Sequence, residues 1–209
     1  MAILTRDFYN GNTAEIARAL LGKYLVRRIS GHTLVCRITE TEAYIGRCDR
    51  ACHAYGYRKT NRNMVMFGPP GHAYIYFVYG MHHCLNFVTE PEGEPSAVLL
   101  RGAEPICGID EMCLARYGLE SAAAMTPYQR KNFLNGPGKI CKALFLSTDE
   151  NGVDLTSDLL FICDSPTDIG LASPLPKEET IRCGPRIGID YAGEDKHLPW
   201  RFLLKKEGD

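Results

Sequence analysis

The sequence predicts an α+β fold: one mixed domain over residues 1–209, built on a curved, largely antiparallel β-sheet with flanking helices and a protruding β-hairpin. Three observations predict it. Runs of β-branched and aromatic residues fill the first half and are closed by short Gly-containing turns, which join neighbouring strands antiparallel. Helix-start signals gather in the second half instead of alternating with strands, which favours an α+β order over a parallel βαβ one. A chain of 209 residues buries roughly 70 % of the surface its unfolded form exposes, so one core needs no disulfide or metal staple.

Asn12 followed by Glu15 resembles a capping box, and Ile16, Ala19 and Leu20 give the apolar stripe of a short helix that Gly22 can end. Tyr24 to Ile29 reads as a strand, Ser30-Gly31-His32 as a turn and Thr33 to Tyr44 as the returning strand. Simple alternation places Leu34, Cys36 and Ile38 on one face and continues it through Glu40, Glu42 and Tyr44, with Arg37, Thr39 and Thr41 opposite. A carboxylate that continues an apolar face is either at the rim, where the strand emerges into solvent, or held in a site.

Arg47 to Arg62 carries five basic residues against one acidic residue, Asp49, with His53, Tyr55 and Tyr57 among them. Such a loop suits a phosphate backbone, although a solvated surface loop has the same composition. Pro69-Pro70-Gly71 breaks the chain before the clearest hairpin: Ala73 to Tyr79, a Gly80-Met81 turn, and His83 to Thr89 returning. Tyr74, Tyr76 and Val78 point one way from the first arm, and Ile75, Phe77 and Tyr79 the other, with Tyr79 at the tip. The Glu90–Pro95 turn is acidic and is expected to lie away from any nucleic acid. Ser96 to Ala103 is a further strand.

Gly108 to Arg116 reads as a helix, and Thr126-Pro127 starts another, with Thr as N-cap and Pro at the first position. Asn135-Gly-Pro-Gly-Lys139 opens a third that runs to Leu146 and places Lys139 at an anion-binding helix start. It is not a Walker A loop, because Phe133 stands where glycine is required and Ile140 follows the lysine. Residues 151–180 read as strand plus irregular loop, and Ile181–Ile189 and Trp200–Leu204 as closing strands.

The formal net charge is −1 and the pI about 6.6, so any basic footprint is local. Met1 to Leu21 is broken by Arg6, Asp7, Glu15 and Arg18, so no apolar signal core or membrane span is expected there. The nine cysteines are odd in number and read as reduced thiols of a cytoplasmic protein. Cys48, Cys52, His53 and His82-His83-Cys84 raise zinc as an alternative, but no CxxC spacing occurs and no metal or cofactor is expected.

Five stretches together resemble the alkyladenine (3-methyladenine) DNA glycosylase family: Arg37-Ile-Thr-Glu-Thr-Glu42-Ala-Tyr44, Tyr74-Ile-Tyr76-Phe-Val-Tyr79-Gly80-Met81, Leu99-Leu-Arg101-Gly-Ala-Glu104-Pro105, Gly136-Pro-Gly-Lys139 and Arg186-Ile-Gly-Ile-Asp-Tyr-Ala-Gly193. Their order and spacing run from about Leu20 to Phe202, nearly the whole chain. The resemblance implies a monofunctional repair enzyme, acting as a monomer, that flips alkylated or deaminated purines out of double-stranded DNA and hydrolyses the N-glycosidic bond. It implies Glu42 as the water-activating carboxylate and Arg101 as its neighbour near the target phosphate. Tyr44 and His53 on one side and Tyr76 on the other would sandwich the base, and Asn86 would crowd the amine of guanine. Tyr79 would wedge into the duplex, with Arg58, Arg62, Met81 and Lys139 on the DNA backbone. Departures from the family pattern are His82 and His83 on the returning arm, and Tyr191 where a histidine is common.

The chemistry suits these residue types. An N-glycosidic bond breaks through a cationic sugar, which a carboxylate stabilises while it deprotonates the attacking water. One carboxylate suffices when the leaving base is already cationic, unlike the paired carboxylates of sugar hydrolases, and Glu40 is read as mainly structural. No lysine stands beside Glu42, which favours direct hydrolysis over a Schiff-base lyase. Two other readings stay open on residues alone: a noncatalytic nucleic-acid-binding module, and a hydrolase of free nucleosides.

Overall fold

The structure, a computed structural model, describes residues 3–172 and 179–206. In chain order its elements are α1 (Arg6–Tyr9), α2 (Thr13–Ala19), β1 (Tyr24–Ile29), β2 (His32–Ile45), β3 (Ala73–Val78), β4 (His82–Thr89), β5 (Ser96–Cys107), α3 (Ile109–Tyr117), α4 (Pro127–Lys131), α5 (Pro137–Ala143), β6 (Leu160–Cys163), β7 (Glu179–Gly184) and β8 (Arg201–Lys206). Short 3₁₀ turns fill several of the connections.

Every strand pairing among the described residues is antiparallel. The sheet runs β3-β4-β5-β2-β1-β6, and β8 branches from it by pairing with both β2 and β7. This is the mixed fold with a curved antiparallel sheet that the sequence predicts. Helix α2 starts at Asn12, whose side chain accepts from the backbone N–H groups of Ala14 and Glu15, and α4 starts with a full Thr126–Gln129 capping box.

The main core lies on one face of the sheet. Leu34, Cys36, Ile38 and Ala43 of β2, Ile75 of β3, Leu85 and Phe87 of β4, and Val98 and Leu100 of β5 pack there against Ala17 of α2 and Ile140 and Cys141 of α5. A burial term of about 25 cal/mol per Å² makes that apolar face the main source of cohesion.

The parity expected for β2 is corrected. Ile38 pairs with Ala103 and Glu40 with Gly102, so Thr39 is an extra residue; Glu40 to Thr41 then spans Gly102 to Leu100, so Arg101 is extra on β5. These matched bulges flip both strands together. Ile38 and Ala43 therefore share the core face, and buried Thr41 donates to the Ala17 carbonyl at 2.7 Å. Glu42 and Tyr44 turn to the other face, away from Leu34, Cys36 and Ile38. The bulges sit where β2 changes partners, pairing with β1 through Arg37 and with β8 from Glu40 to Glu42. Gly102 is required at this crossing, since a Cβ there would lie 2.9 Å from Glu40 Cβ.

Other boundaries also move. β5 continues to Cys107 because the first half of β2 pairs across it, with Pro105 accommodated at a register shift. β7 ends at Gly184 instead of running to Ile189: Pro185 has no N–H for the ladder. The third predicted helix shortens to α5 at both ends. Residues 173–178, inside the stretch read as strand plus loop, lie outside the described residues.

Candidate active site

Above the face that the bulges re-aim lies a pocket of about 300 Å³. Its walls come from β2 (Glu42, Tyr44), the 51–53 loop, β3 (Tyr74, Tyr76, Val78), β4 (Cys84, Asn86), β5 (Leu99, Arg101) and the 187–191 turn, with Tyr79 at the mouth. That size matches the lower range for small-molecule clefts.

Glu42 is fully buried. Its Oε1 accepts from the Ile187 backbone N–H at 2.9 Å, its Oε2 accepts from the Tyr44 hydroxyl at 2.7 Å, and Arg101 Nε lies 3.5 Å from Oε1. Burial pushes its pKa above the ordinary carboxylate value, while the two hydrogen bonds and the Arg101 charge pull it back. A carboxylate offers about four lone-pair sites, so two donors leave room for a water. Glu40 belongs to another partnership: Arg201 Nε donates to its Oε1 at 2.5 Å, and Arg101 stands 3.9 Å away.

The three pocket aromatics regroup relative to expectation. His53 packs edge-on against Tyr76, with ring centroids 4.6 Å apart, and its Nδ1 is 2.9 Å from the Tyr74 hydroxyl. His53 thus sides with Tyr76 and Tyr74, while Tyr44 lies across the chain against Arg186, whose guanidinium is 4.7 Å from the Tyr44 ring centre. The reason is local: Asn63 donates to the carbonyls of His53 and Arg58 and folds the loop toward β3. Burial, then the Arg62 charge, lowers the His53 pKa to about 4, so the ring is neutral near pH 7. Asn86 is buried, with Nδ2 donating to the carbonyls of Tyr74 (3.0 Å) and Cys84 (3.3 Å).

The hairpin tip projects Tyr79, 84 % exposed and at φ 53°, beside exposed Met81. Its base is steadied by α5, where Gly138 lets His82 approach; a Cβ at that glycine would meet the His82 ring at 2.9 Å. Lys139 points its ammonium at Asn135 (2.6 Å) and Asn132 (3.3 Å), and partial burial with Arg116 and Arg101 nearby lowers its pKa. Arg62 donates to the Phe77 carbonyl and lies 5.0 Å over the Tyr76 ring, while Arg58 is exposed. Arg47 is drawn off the basic loop by Glu90 and Glu94. The acidic turn therefore touches the basic loop and offsets part of its charge.

Among the described residues no three His, Cys, Asp or Glu side chains converge in a metal-binding arrangement. No described helix is long and apolar enough to cross a membrane.

Sequence reasoning missed one pair that organises the pocket: Arg186 and Asp49, both side chains fully buried and joined at 2.5 and 2.8 Å. The lone acidic residue of a basic loop was the signal available for it.

A profile of the family described as methylpurine-DNA glycosylase (MPG) matches residues 7–208. Proteins provisionally named 3-methyladenine DNA glycosylases in Bacillus cereus (strain AH820), Bacillus anthracis (strain A0248) and Bacillus thuringiensis (strain Al Hakam) are each 49 % identical to this chain over 199 residues, spanning 95 % of it and 94 % of the relative.

Proposed function

The chain belongs to the methylpurine-DNA glycosylase family and is a DNA base-excision repair glycosylase, and from that premise we propose that it extrudes damaged purines from duplex DNA into this pocket and releases them with a water activated by Glu42. The observation that carries the reading is Glu42 itself: a fully buried carboxylate, fixed by two hydrogen bonds on the wall of an aromatic pocket. Desolvated beside a developing sugar cation, it is worth more than in water, and it holds an acceptor site for the nucleophile.

Extrusion costs a few kcal/mol and is cheapest for damaged or mispaired bases. Tyr79 at the exposed tip would fill the vacated stack, as wedge side chains do in minor-groove binders. Electron-rich faces of Tyr44 and Tyr76 favour a cationic alkylated purine by about 0.5–2 kcal/mol, and neutral His53 adds no opposing charge. Arg58, Arg62, Met81 and Lys139 would meet the DNA backbone around the mouth. The protein would act as a monomer in the cytoplasm, on lesions of the 3-methyladenine, 7-methylguanine, hypoxanthine and ethenoadenine class.

The test is single-turnover release of a modified purine from an oligonucleotide duplex by wild type and Glu42→Gln. Loss of a general base lowers the rate about 10²–10⁴-fold, with binding to damaged duplex retained. Wild-type rates in the variant would sink the mechanism. Equal activity on the free nucleoside would instead point to a nucleoside hydrolase.

A further inference from the structure

We infer that Arg186, locked to Asp49, is a positioning residue for the glycosylase reaction: it holds the Ile187 N–H on Glu42 and backs the Tyr44 ring, so that the general base and the base platform are aligned by one buried ion pair. The inference rests on the reading of Glu42 given above.

One guanidinium gathers four segments that share no secondary structure. Nη1 donates to Asp49 Oδ2 at 2.5 Å and to the Ala43 carbonyl at 2.8 Å, on the residue between Glu42 and Tyr44. Nη2 donates to Asp49 Oδ1 at 2.8 Å and to the Asp195 carbonyl at 3.3 Å. The same plate lies 4.7 Å from the Tyr44 ring centre and 5.1 Å from that of Trp200, just before β8. Asp49 in turn accepts from the Ala51 N–H at 2.9 Å and the Ile45 N–H at 3.3 Å, fixing the loop that carries His53. Arg186 is one residue from Ile187, so wherever its side chain is clamped, the N–H that reaches Glu42 follows.

A buried pair of this kind is a poor way to gain stability. Desolvating both ions cancels much of their attraction, and an apolar replacement of both is often neutral or better. What the fork supplies is geometry: two parallel hydrogen bonds fix its orientation, which a lysine cannot reproduce. Charge balance fits the same role. A bare cation behind Tyr44 would oppose an alkylated, cationic purine on the other face, and Asp49 cancels it at contact distance.

The groups that set the ionisation of Glu42 are Glu40 and Tyr44 on β2, Arg101 on β5, Arg201 on β8 acting through Glu40, and Arg186 with the Ile187 N–H on the 185–189 turn. Of these, the turn that carries Ile187 and the Tyr44 ring are the ones that Arg186 holds in place. Losing the Ile187 hydrogen bond stabilises the protonated form of Glu42. The ascending limb of the pH–rate profile, along which Glu42 becomes a base, then moves to higher pH.

The experiment measures single-turnover release of 3-methyladenine from methylated duplex DNA across the pH range, in the full chain. Wild type, Arg186→Lys, the charge-free double variant Arg186→Met/Asp49→Asn, and Glu42→Gln are compared. A limb raised by about one pH unit in Arg186→Lys and in the double variant, with thermal unfolding of the double variant near wild type, supports the inference. A role in folding alone would scale the rate at every pH through the active fraction and leave the limb in place; that outcome overturns it. A limb that survives in Glu42→Gln takes down the reading of Glu42 and the inference with it. A limb absent from Glu42→Gln but unmoved in both Arg186 variants takes down the inference alone.

Discussion

The Tyr44 hydroxyl donates to Glu42 Oε2 at 2.7 Å from two residues along the same strand, so one side chain of β2 gives the cavity an aromatic wall and the carboxylate a donor that tunes it. Removing the hydroxyl while keeping the ring separates the two roles. In Tyr44→Phe, Glu42 loses a bond that favours its charged form, and its pKa rises further. Excision should slow by about threefold to tenfold below the ascending limb and recover at higher pH. Single-turnover rates over a pH series check this; a uniform loss at all pH values would mean that the ring, not the hydroxyl, is what the variant disturbs.

Tyr79 is 84 % exposed and contributes little packing. Tyr79→Ala should leave the thermal midpoint within about 2 °C of wild type, in keeping with a surface change of under about 0.5 kcal/mol. It should also lower the flipped population, read as reduced fluorescence of an ethenoadenine-containing duplex complex. A variant that unfolds easily yet flips normally would return Tyr79 to a packing role.

His53 gives a pH-dependent stability term with a definite sign. Its pKa falls from about 6.5 to about 4 in the folded chain, so the unfolded chain binds more protons between those values. The contribution is complete above about pH 6.5 and is lost as pH falls toward 4. His53→Gln does not titrate, so its thermal midpoint should fall less than wild type between these limits. Parallel curves would place the group nearer solvent than its contact with Tyr76 implies.

Asn86 should govern rejection of normal guanine. Its Nδ2 is committed to the carbonyls of Tyr74 and Cys84, so the side chain is held rigid against the pocket. A clash excludes a wrong ligand only if the clashing group cannot move. Asn86→Gly should raise the ratio of guanine to hypoxanthine excision from mismatches, and should also cost stability through the two lost hydrogen bonds. The ratio of the two single-turnover rates is the measurement; an unchanged ratio would leave Asn86 as a sheet-bracing residue.

Local chemistry was readable in the sequence where it is decided locally. The Ser30-Gly31 turn, the 73–89 hairpin, and the caps at Asn12 and Thr126 depend on neighbouring residues, and the chain folds there as read. The face of Glu42 was not readable, because the bulge at Thr39 arises from pairing with β5 across more than sixty residues of sequence. Nor was the partnership of Arg186 with Asp49, which are 137 residues apart and carry charges that pattern reasoning assigns to the surface. The side of the cavity on which His53 stands, against Tyr76, was not readable either, since its direction depends on Asn63.

The bulge of β2 at Thr39, matched by that of β5 at Arg101, makes the placement of the pocket a matter of counting. Neither Thr39 nor Gly102 lines the cavity, so both act on it through strand register and not through contact. A strand that kept every residue but paired them with β5 in unbroken alternation would present Thr41 and Ala43, in place of Glu42 and Tyr44, to the cavity side. Grafting this site onto another sheet would therefore mean carrying over the miscount as well as the residues: two strands, each one residue too long, crossing at a glycine.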